Sequence, residues 1–166
     1  MTQDSAFNIL ALDGGGTRGI YAAQILASIE RDAGAQVRER FDLIAGTSTG
    51  SIIAGAAAAG IPMSDVVKLF EEKAPRIFRR RWLGSFHIRS KYPRTPLAQV
   101  IRNCVSDLTL GEVSTPLMIL GSDISTGGVH VFKSRYPKEL GESYFRDSDV
   151  ALGDAILASC AAPTYF

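Results

Sequence analysis

Two short glycine-rich segments hold the residues whose types and spacing could perform chemistry. One reads Asp-Gly-Gly-Gly-Thr-Arg-Gly over residues 13–19, and the other reads Gly-Thr-Ser-Thr-Gly over residues 46–50. In the second, Ser48 has a glycine two positions to either side, the pattern of a nucleophile elbow that exposes a serine hydroxyl on a sharp strand-to-helix turn. Glycine suits such a turn because the turn is strained and because neighbouring backbone passes close to the serine. The pattern alone also fits a close-packed turn without a catalytic role.

The first segment has two interpretations. Its G-x-G-x-x-G spacing is the dinucleotide-binding fingerprint, which calls for an acidic residue about twenty positions later, at the end of the second strand. Here the second predicted strand ends in Ala45-Gly46, so that partner is missing. In the other interpretation, the N–H groups of Gly14, Gly15 and Gly16 face Ser48 and form an oxyanion hole, which stabilises the negative oxygen of an acyl-transfer intermediate.

Apolar periodicity predicts the elements that position these segments. The runs Phe7–Leu12 and Phe41–Ala45 predict two buried strands, each followed by a glycine turn and a helix. Because this unit repeats, the sheet is expected to be parallel there. The first helix should end near Gly34 and bury one apolar face. That face comprises Ala22, Ile25, Leu26 and Ile29.

Further elements are predicted along the rest of the chain from capping residues and apolar runs. They are a helix from Ser64 to about Lys73, a helix from Thr95-Pro96 to about Val105, strands at Leu117–Leu120 and Val129–Phe132, and a helix over Asp149–Ser159. With 166 residues, 46% of them hydrophobic, the chain is long enough for one domain with a core.

Composition also limits the function. A formal net charge of +1 argues against a nucleic-acid binder, and no His, Cys and carboxylate cluster has metal-ligand spacing, so no metal or cofactor is expected. Cys104 and Cys160 are expected to be small core residues in a reducing compartment. The N-terminus lacks the features of a signal peptide, and glycines and a proline interrupt the uncharged run Ile44–Met63. A cytoplasmic protein that meets membranes only from their surface is therefore expected.

Basic residues concentrate in the segment Arg76–Arg94, where they alternate with Phe78, Trp82, Phe86 and Tyr92. Such a mixture suits contact with an anionic membrane surface, because aromatic rings insert and cations bind headgroups. It equally suits a solvated loop that its aromatic side chains anchor to the domain.

Together, the two glycine segments resemble the patatin-like phospholipase family, and the resemblance extends to the closing stretch Ala158–Phe166. It implies a three-layer α/β/α fold with a mainly parallel central sheet, and hydrolysis of fatty-acyl esters by a Ser-Asp dyad through an acyl-serine intermediate. Ser48 would be the nucleophile, and Gly14, Gly15 and Gly16 the oxyanion hole. The supporting residues would be Asp13, Arg18 and Gly19 in the glycine loop, and Gly46, Thr47, Thr49 and Gly50 in the elbow. Arg18 could instead bind an anionic headgroup.

The dyad aspartate does not match any residue of this chain. In the family it lies in an Asp-Gly-Gly or Asp-Gly-Ala motif downstream of the segment that here ends at Phe166. Residues 1–166 are therefore expected to form a single patatin-like domain, truncated before that aspartate and inactive alone. The motif is absent at Asp123, Asp147, Asp149 and Asp154. A Ser-His-Asp triad is not indicated either, because His87 is expected to be exposed and His130 to be a surface or hydrogen-bonded residue of a strand.

A lipid acyl hydrolase of the phospholipase A type is thus the main hypothesis. Two alternatives stay open, a nucleotide-binding Rossmann-like module and a catalytically inactive membrane- or partner-binding domain of the same fold. Some bacterial members of the family are switched by nucleotide second messengers, and an arginine cluster such as Arg79–Arg81 could bind one, although nothing in the sequence establishes it.

Overall fold

The computed structural model of the chain describes residues 6–77, 94–105, 107–134 and 147–161. Within these ranges lie four strands and five α-helices. The strands are β1 (Ile9–Leu12), β2 (Leu43–Thr47), β3 (Leu117–Ser122) and β4 (Val129–Lys133). The helices are α1 (Gly19–Ala33), α2 (Thr49–Ala58), α3 (Met63–Ile77), α4 (Arg94–Val105) and α5 (Leu152–Cys160).

The strands form one sheet in the order β1-β2-β3-β4. The first three are mutually parallel, as the repeated unit predicts, and β4 returns antiparallel to β3. Leu12 lies opposite Gly46, and Thr47 lies opposite Leu120. The carboxyl ends of β1, β2 and β3 therefore lie side by side at one end of the sheet, where both glycine segments are found.

The core lies between one face of the sheet and the helices α2 and α5. Ile44, Leu117 and Ile119 are buried on this face, and every residue of α2 is buried as well. Because β1, β2 and β3 follow one another in a single direction, right-handed crossovers place the connecting helices on the same face. On the other face, Leu43 and Met118 are only half-buried within the described ranges. The α/β class and the mainly parallel sheet are as predicted.

Helix α1 confirms the predicted position but corrects the predicted face. It ends at Ala33, and Gly34 follows with a φ of 61°, the left-handed conformation that glycine favours at a helix end. Ile25 and Ile29 are 61% and 40% exposed, so the expectation that they face the core is wrong. Helix α1 packs mainly against α3 and buries only a narrow stripe of small and aliphatic residues. That stripe is Gly19, Ala23 and Leu26.

The first strand and three helix starts also differ from the predictions. Strand β1 is exposed at Ile9, and Phe7 precedes it at 67% exposure, because β1 ends the sheet and has a strand neighbour on one side only among the described residues. Helix α3 begins at Met63 rather than Ser64, and α4 begins at Arg94 rather than Thr95. Shifts of one residue are usual because helix ends fray. Helix α5 begins at Leu152 rather than Asp149, because Val150 and Ala151 are paired with Leu110 and Thr109 instead.

A close backbone contact fixes α2 against the end of β1. A Cβ atom added to Gly50 would lie 2.3 Å from the carbonyl oxygen of Leu12 and 2.8 Å from that of Asp13. Both neighbours are backbone atoms, so they cannot move aside as a flexible side chain would. The first turn of α2 can therefore reach β1 only if residue 50 is glycine.

Replacement of Gly50 by alanine should lower the free energy of unfolding by about 3 kcal/mol, because overpacking a well-packed interior costs roughly 1–3 kcal/mol or more. Gly153→Ala is the matched control, since Gly153 is also a buried helical glycine. Its added Cβ would meet Ile101 and Val105 at 3.6 and 3.7 Å, which are ordinary contacts. Urea denaturation should leave this control unchanged or up to about 1 kcal/mol more stable. Equal destabilisation of the two variants would contradict the close contact.

Candidate active site

Ser48 occupies a strained turn between β2 and α2. Its φ of 51° and ψ of −124° make it the one non-glycine residue with positive φ among the described residues. Residues other than glycine rarely adopt such backbone angles, and a residue held in them costs on the order of 1–3 kcal/mol of stability. The predicted nucleophile elbow therefore has the backbone geometry expected of it, with a half-buried serine at its apex.

The two elbow glycines are explained by packing. A Cβ on Gly46 would lie 2.5 Å from the carbonyl oxygen of Gly50 and 2.8 Å from the Cβ atom of Ala54. Gly50 in turn packs against the end of β1. The chain can thus turn from β2 directly into α2 and lay the helix back on the strand. Thr47 is half-buried and Thr49 is buried, so both flank Ser48 from within the fold.

The first glycine segment lies directly against Ser48. A Cβ on Gly14 would lie 2.9 Å from the Cβ atom of Ser48 and 3.6 Å from its Oγ atom. The structure therefore brings together the two motifs that the sequence singles out. Gly16 has a φ of 57°, in the left-handed region. Within the described ranges, no protein acceptor is bonded to the N–H groups of Gly14, Gly15 or Gly16.

The glycine loop is held by its own backbone and by α2. The N–H group of Arg18 donates to the carbonyl oxygen of Gly15 at 3.1 Å, which closes a 3₁₀ turn over Gly16–Arg18. Gly19 packs tightly on Thr49, because an added Cβ would lie 2.6 Å from the Thr49 Cγ2 atom. The Arg18 side chain is exposed. Asp13 contacts α2 through its backbone carbonyl, and support of the loop by its carboxylate stays a prediction.

Sequence reasoning missed Ser159, which contacts the elbow from α5. The backbone N–H of Ser48 donates to the Ser159 Oγ atom at 2.8 Å. The Ser159 hydroxyl donates in turn to the carbonyl oxygen of Leu120, at the end of β3. The only sequence signal is a hydroxyl residue in a helix of mostly small and apolar side chains, and it does not reveal a partner 111 positions away.

Asp123, Asp147 and His130 make contacts away from Ser48. Asp123 accepts hydrogen bonds from the side chains of Ser125 and Thr126, which lower its pKa to about 2 and make it a poor proton acceptor. Asp147 is buried, accepts a hydrogen bond from the N–H of Lys133, and lies 4.0 Å from the His130 ring. None of the carboxylates in the described ranges, including Asp149 and Asp154, makes a hydrogen bond to the Ser48 Oγ atom.

The two cysteines do not compete as nucleophiles. Burial raises the pKa of both Cys104 and Cys160 to about 11, because the thiolate is poorly solvated in the core. Both are therefore protonated thiols at neutral pH, consistent with the predicted core role.

Several predictions fall outside the described residues. They include nearly all of the basic segment Arg76–Arg94, the residue His87 and the closing residues 162–166. Among the residues that are described, none of the helices combines the length and hydropathy needed to cross a bilayer.

Comparison of the sequence with known proteins identifies a matching family and several relatives. The model of the family described as "Patatin-like phospholipase" matches residues 10–166. A "cGAMP-activated phospholipase" of Pseudomonas aeruginosa (strain BWHPSA011 / Pa011) is 36% identical, over 100% of this chain and 50% of its own length. A "cGAMP-activated phospholipase" of Escherichia coli (strain TW11681) is 34% identical, over 95% of this chain and 47% of its own. The chain thus spans about half the length of these curated relatives.

A solved structure supports the same fold. The crystal structure of VipD from Legionella pneumophila superposes with a TM-score of 0.61 at 15% sequence identity, covering 98% of this chain and 43% of that one. At this identity the likeness concerns the fold alone. From the glycine loop, the elbow and the family match over residues 10–166, we conclude that the chain belongs to the patatin-like phospholipase family.

Proposed function

We propose that this chain is the nucleophile-bearing part of a lipid acyl hydrolase of the phospholipase A type, with Ser48 as the nucleophile. The observation that carries the proposal is the contact of Gly14 with Ser48, at 2.9 Å from an added Cβ to the Ser48 Cβ atom. The close approach of the glycine loop to a strained serine supports an arrangement in which backbone N–H groups stabilise the oxyanion of acyl transfer.

In the proposed reaction, the Ser48 Oγ atom attacks the carbonyl carbon of a fatty-acyl ester while its proton passes to a base. The former carbonyl oxygen becomes an oxyanion, which the N–H groups of Gly14, Gly15 and Gly16 stabilise. One such donor is typically worth roughly 3–4 kcal/mol of transition-state stabilisation. Collapse of the intermediate breaks the ester bond, and the departing alcohol takes the proton from the base. Water then hydrolyses the acyl-serine.

We assign the base to an aspartate outside residues 1–166, so that a Ser-Asp dyad forms, because the curated relatives are about twice as long as this chain. This assignment is supported by the partners of the described carboxylates, since Asp123 is held within its own turn and Asp147 is bonded to Lys133. It implies that residues 1–166 supply the nucleophile and the oxyanion hole, and that the chain alone is inactive.

The lipid substrate suggests contact with a membrane surface. We assign this contact to the basic and aromatic segment Arg76–Arg94 on the grounds of its composition, in a cytoplasmic protein. Replacement of Arg79, Arg80 and Arg81 by serine, followed by co-sedimentation with anionic vesicles, tests the assignment against the solvated-loop alternative. Because relatives are named as cGAMP-activated, regulation by a cyclic dinucleotide is a further part of the proposal.

Two alternatives are less well supported. Nucleotide binding at a Rossmann-like site does not explain why Gly14 contacts Ser48 or why Ser48 is strained. A catalytically inactive domain of the same fold would retain both features. Only the reactivity of Ser48 therefore distinguishes such a domain from the proposed hydrolase.

In the full-length protein, Ser48→Ala should abolish labelling by a fluorophosphonate ester probe, because the probe reacts only with an activated serine hydroxyl. Ser64→Ala, which removes an exposed hydroxyl at the start of α3, should label like the wild type. The extent of labelling is measured by gel fluorescence. Equal labelling of wild type and Ser48→Ala would refute Ser48 as nucleophile, and no labelling of either would favour the inactive domain.

The strain at Ser48 should be visible as a stability difference. Ser48→Gly relieves the positive φ, whereas Ser48→Ala removes the same hydroxyl and keeps the strain. Ser48→Gly should therefore have a free energy of unfolding about 1 kcal/mol higher than that of Ser48→Ala. Relief of the backbone strain contributes roughly 1–3 kcal/mol, and the greater backbone entropy that glycine loses on folding offsets part of it. Urea denaturation of the two inactive variants measures this difference. A glycine variant no more stable than the alanine variant would mean that the elbow is unstrained.

Gly14 and Gly15 should differ in their tolerance of alanine. Gly14→Ala would drive a methyl group into the Ser48 side chain, so kcat for a soluble ester should fall by about 100-fold or more, the usual effect of losing one oxyanion donor. Gly15→Ala should cost less, because its Cβ would meet only the Arg18 Cβ atom, at 3.6 Å. Steady-state kinetics of the two variants test this order, and a larger loss for Gly15→Ala would show that the loop contacts Ser48 differently.

A further inference from the structure

We infer that Ser159 is a positioning residue that holds the Ser48 elbow at the end of β3, an inference that rests on the proposed function. Its hydroxyl accepts the N–H of Ser48 at 2.8 Å and donates to the carbonyl oxygen of Leu120. One side chain therefore joins three elements that are distant in sequence, namely the elbow, α5 and β3.

The need for this hydroxyl follows from where the sheet and the helix stop. Pairing between β2 and β3 ends at Thr47 opposite Leu120, so the ladder offers no partner to the next N–H, that of Ser48. Helix α2 offers none either, because Ser48 is its N-cap and the first N–H groups of a helix lack intrahelical acceptors. A hydroxyl donates one hydrogen bond and accepts others, so Ser159 satisfies the Ser48 N–H and the Leu120 carbonyl together.

The bond affects the chemistry through the orientation of Ser48. Because the Ser48 N–H is already bonded to Ser159, it is not a donor to the oxyanion. The bond also anchors the apex of a turn whose positive φ would otherwise relax. Small displacements of a reacting group can lower a rate by about 100-fold, so loss of the anchor should slow acyl transfer while leaving substrate binding nearly unchanged.

Packing holds α5 in place independently of this bond. The side chain of Ile156 fills the space above Gly55 in α2, where an added Cβ would lie 2.7 Å from the Ile156 Cδ1 atom. Ile156 and Cys160 are both buried in the core. Removal of the Ser159 hydroxyl should therefore disturb the elbow locally and leave the fold intact.

The inference predicts that Ser159→Ala in the full-length protein lowers kcat for a soluble ester by roughly 10- to 100-fold with KM changed by less than about threefold. Ser159→Thr, which keeps the hydroxyl, should restore most of kcat. Ser64→Ala controls for the loss of an exposed hydroxyl and should match the wild type. A wild-type kcat in Ser159→Ala, or a kcat in Ser159→Thr as low as in Ser159→Ala, would overturn the inference.

A second measurement tests the hydrogen bond between the Ser48 N–H and the Ser159 Oγ atom, and it does not depend on whether the protein is a hydrolase. Exchange of the Ser48 amide hydrogen, followed by NMR, should be about tenfold or more faster in Ser159→Ala than in the wild type and should slow again in Ser159→Thr. Unchanged exchange would overturn the role of Ser159 even if Ser48 proves catalytic. Conversely, faster exchange in a protein that the fluorophosphonate probe does not label would leave the bond standing and refute the proposed function.

Should Ser159→Ala fail to fold, Ser159→Cys takes its place. A thiol is a weak hydrogen-bond donor and a weak acceptor. This variant therefore keeps a side chain of similar shape and weakens the bonds to the Ser48 N–H and to the Leu120 carbonyl oxygen. Its kcat should fall below that of Ser159→Thr, and equal values in the two variants would overturn the inference.

Discussion

The arrangement of the site depends on one constraint, the absence of side chains where the glycine loop, the elbow and α2 meet. Gly14 lies against Ser48, Gly46 lies against Gly50, and Gly50 lies against the backbone of β1. Each contact brings backbone closer than a Cβ atom would allow. The glycines therefore do more than permit unusual dihedral angles, because they let the glycine loop and the first turn of α2 approach Ser48 and β1 closely.

The surrounding fold must sustain the strain at the elbow. Ser48 has a φ of 51°, which a serine rarely adopts, and it lies at the start of a helix that is buried throughout. Burial of α2 against the sheet and against the helices α3 and α5 stabilises the elbow through apolar contacts. Strain at Ser48 is thus offset by packing elsewhere in the fold.

The sequence predicts the parts of the site that depend on local patterns. Glycine spacing around Ser48, the repeated strand-turn-helix unit and the position of Gly34 each reflect a conformation that nearby residues decide. The exposed face of α1 at Ile25 and the contact of Ser159 with Ser48 could not be predicted, because both depend on which distant element packs alongside. An apolar side chain does not specify its neighbour, and a hydroxyl in a helix does not specify its partner.

Three consecutive parallel strands each contribute one component at the same end of the sheet. The glycine loop follows β1, the strained serine follows β2, and the carbonyl of Leu120 near the end of β3 receives the hydroxyl that holds Ser48 in place. Parallel strands carry their connecting turns at their carboxyl ends, which is why ligands of open α/β sheets are usually bound there. Since adjacent strands are only about 4.8 Å apart, turns from neighbouring strands can touch without long side chains. This geometry explains how a site can be built largely from backbone groups and two serine hydroxyls.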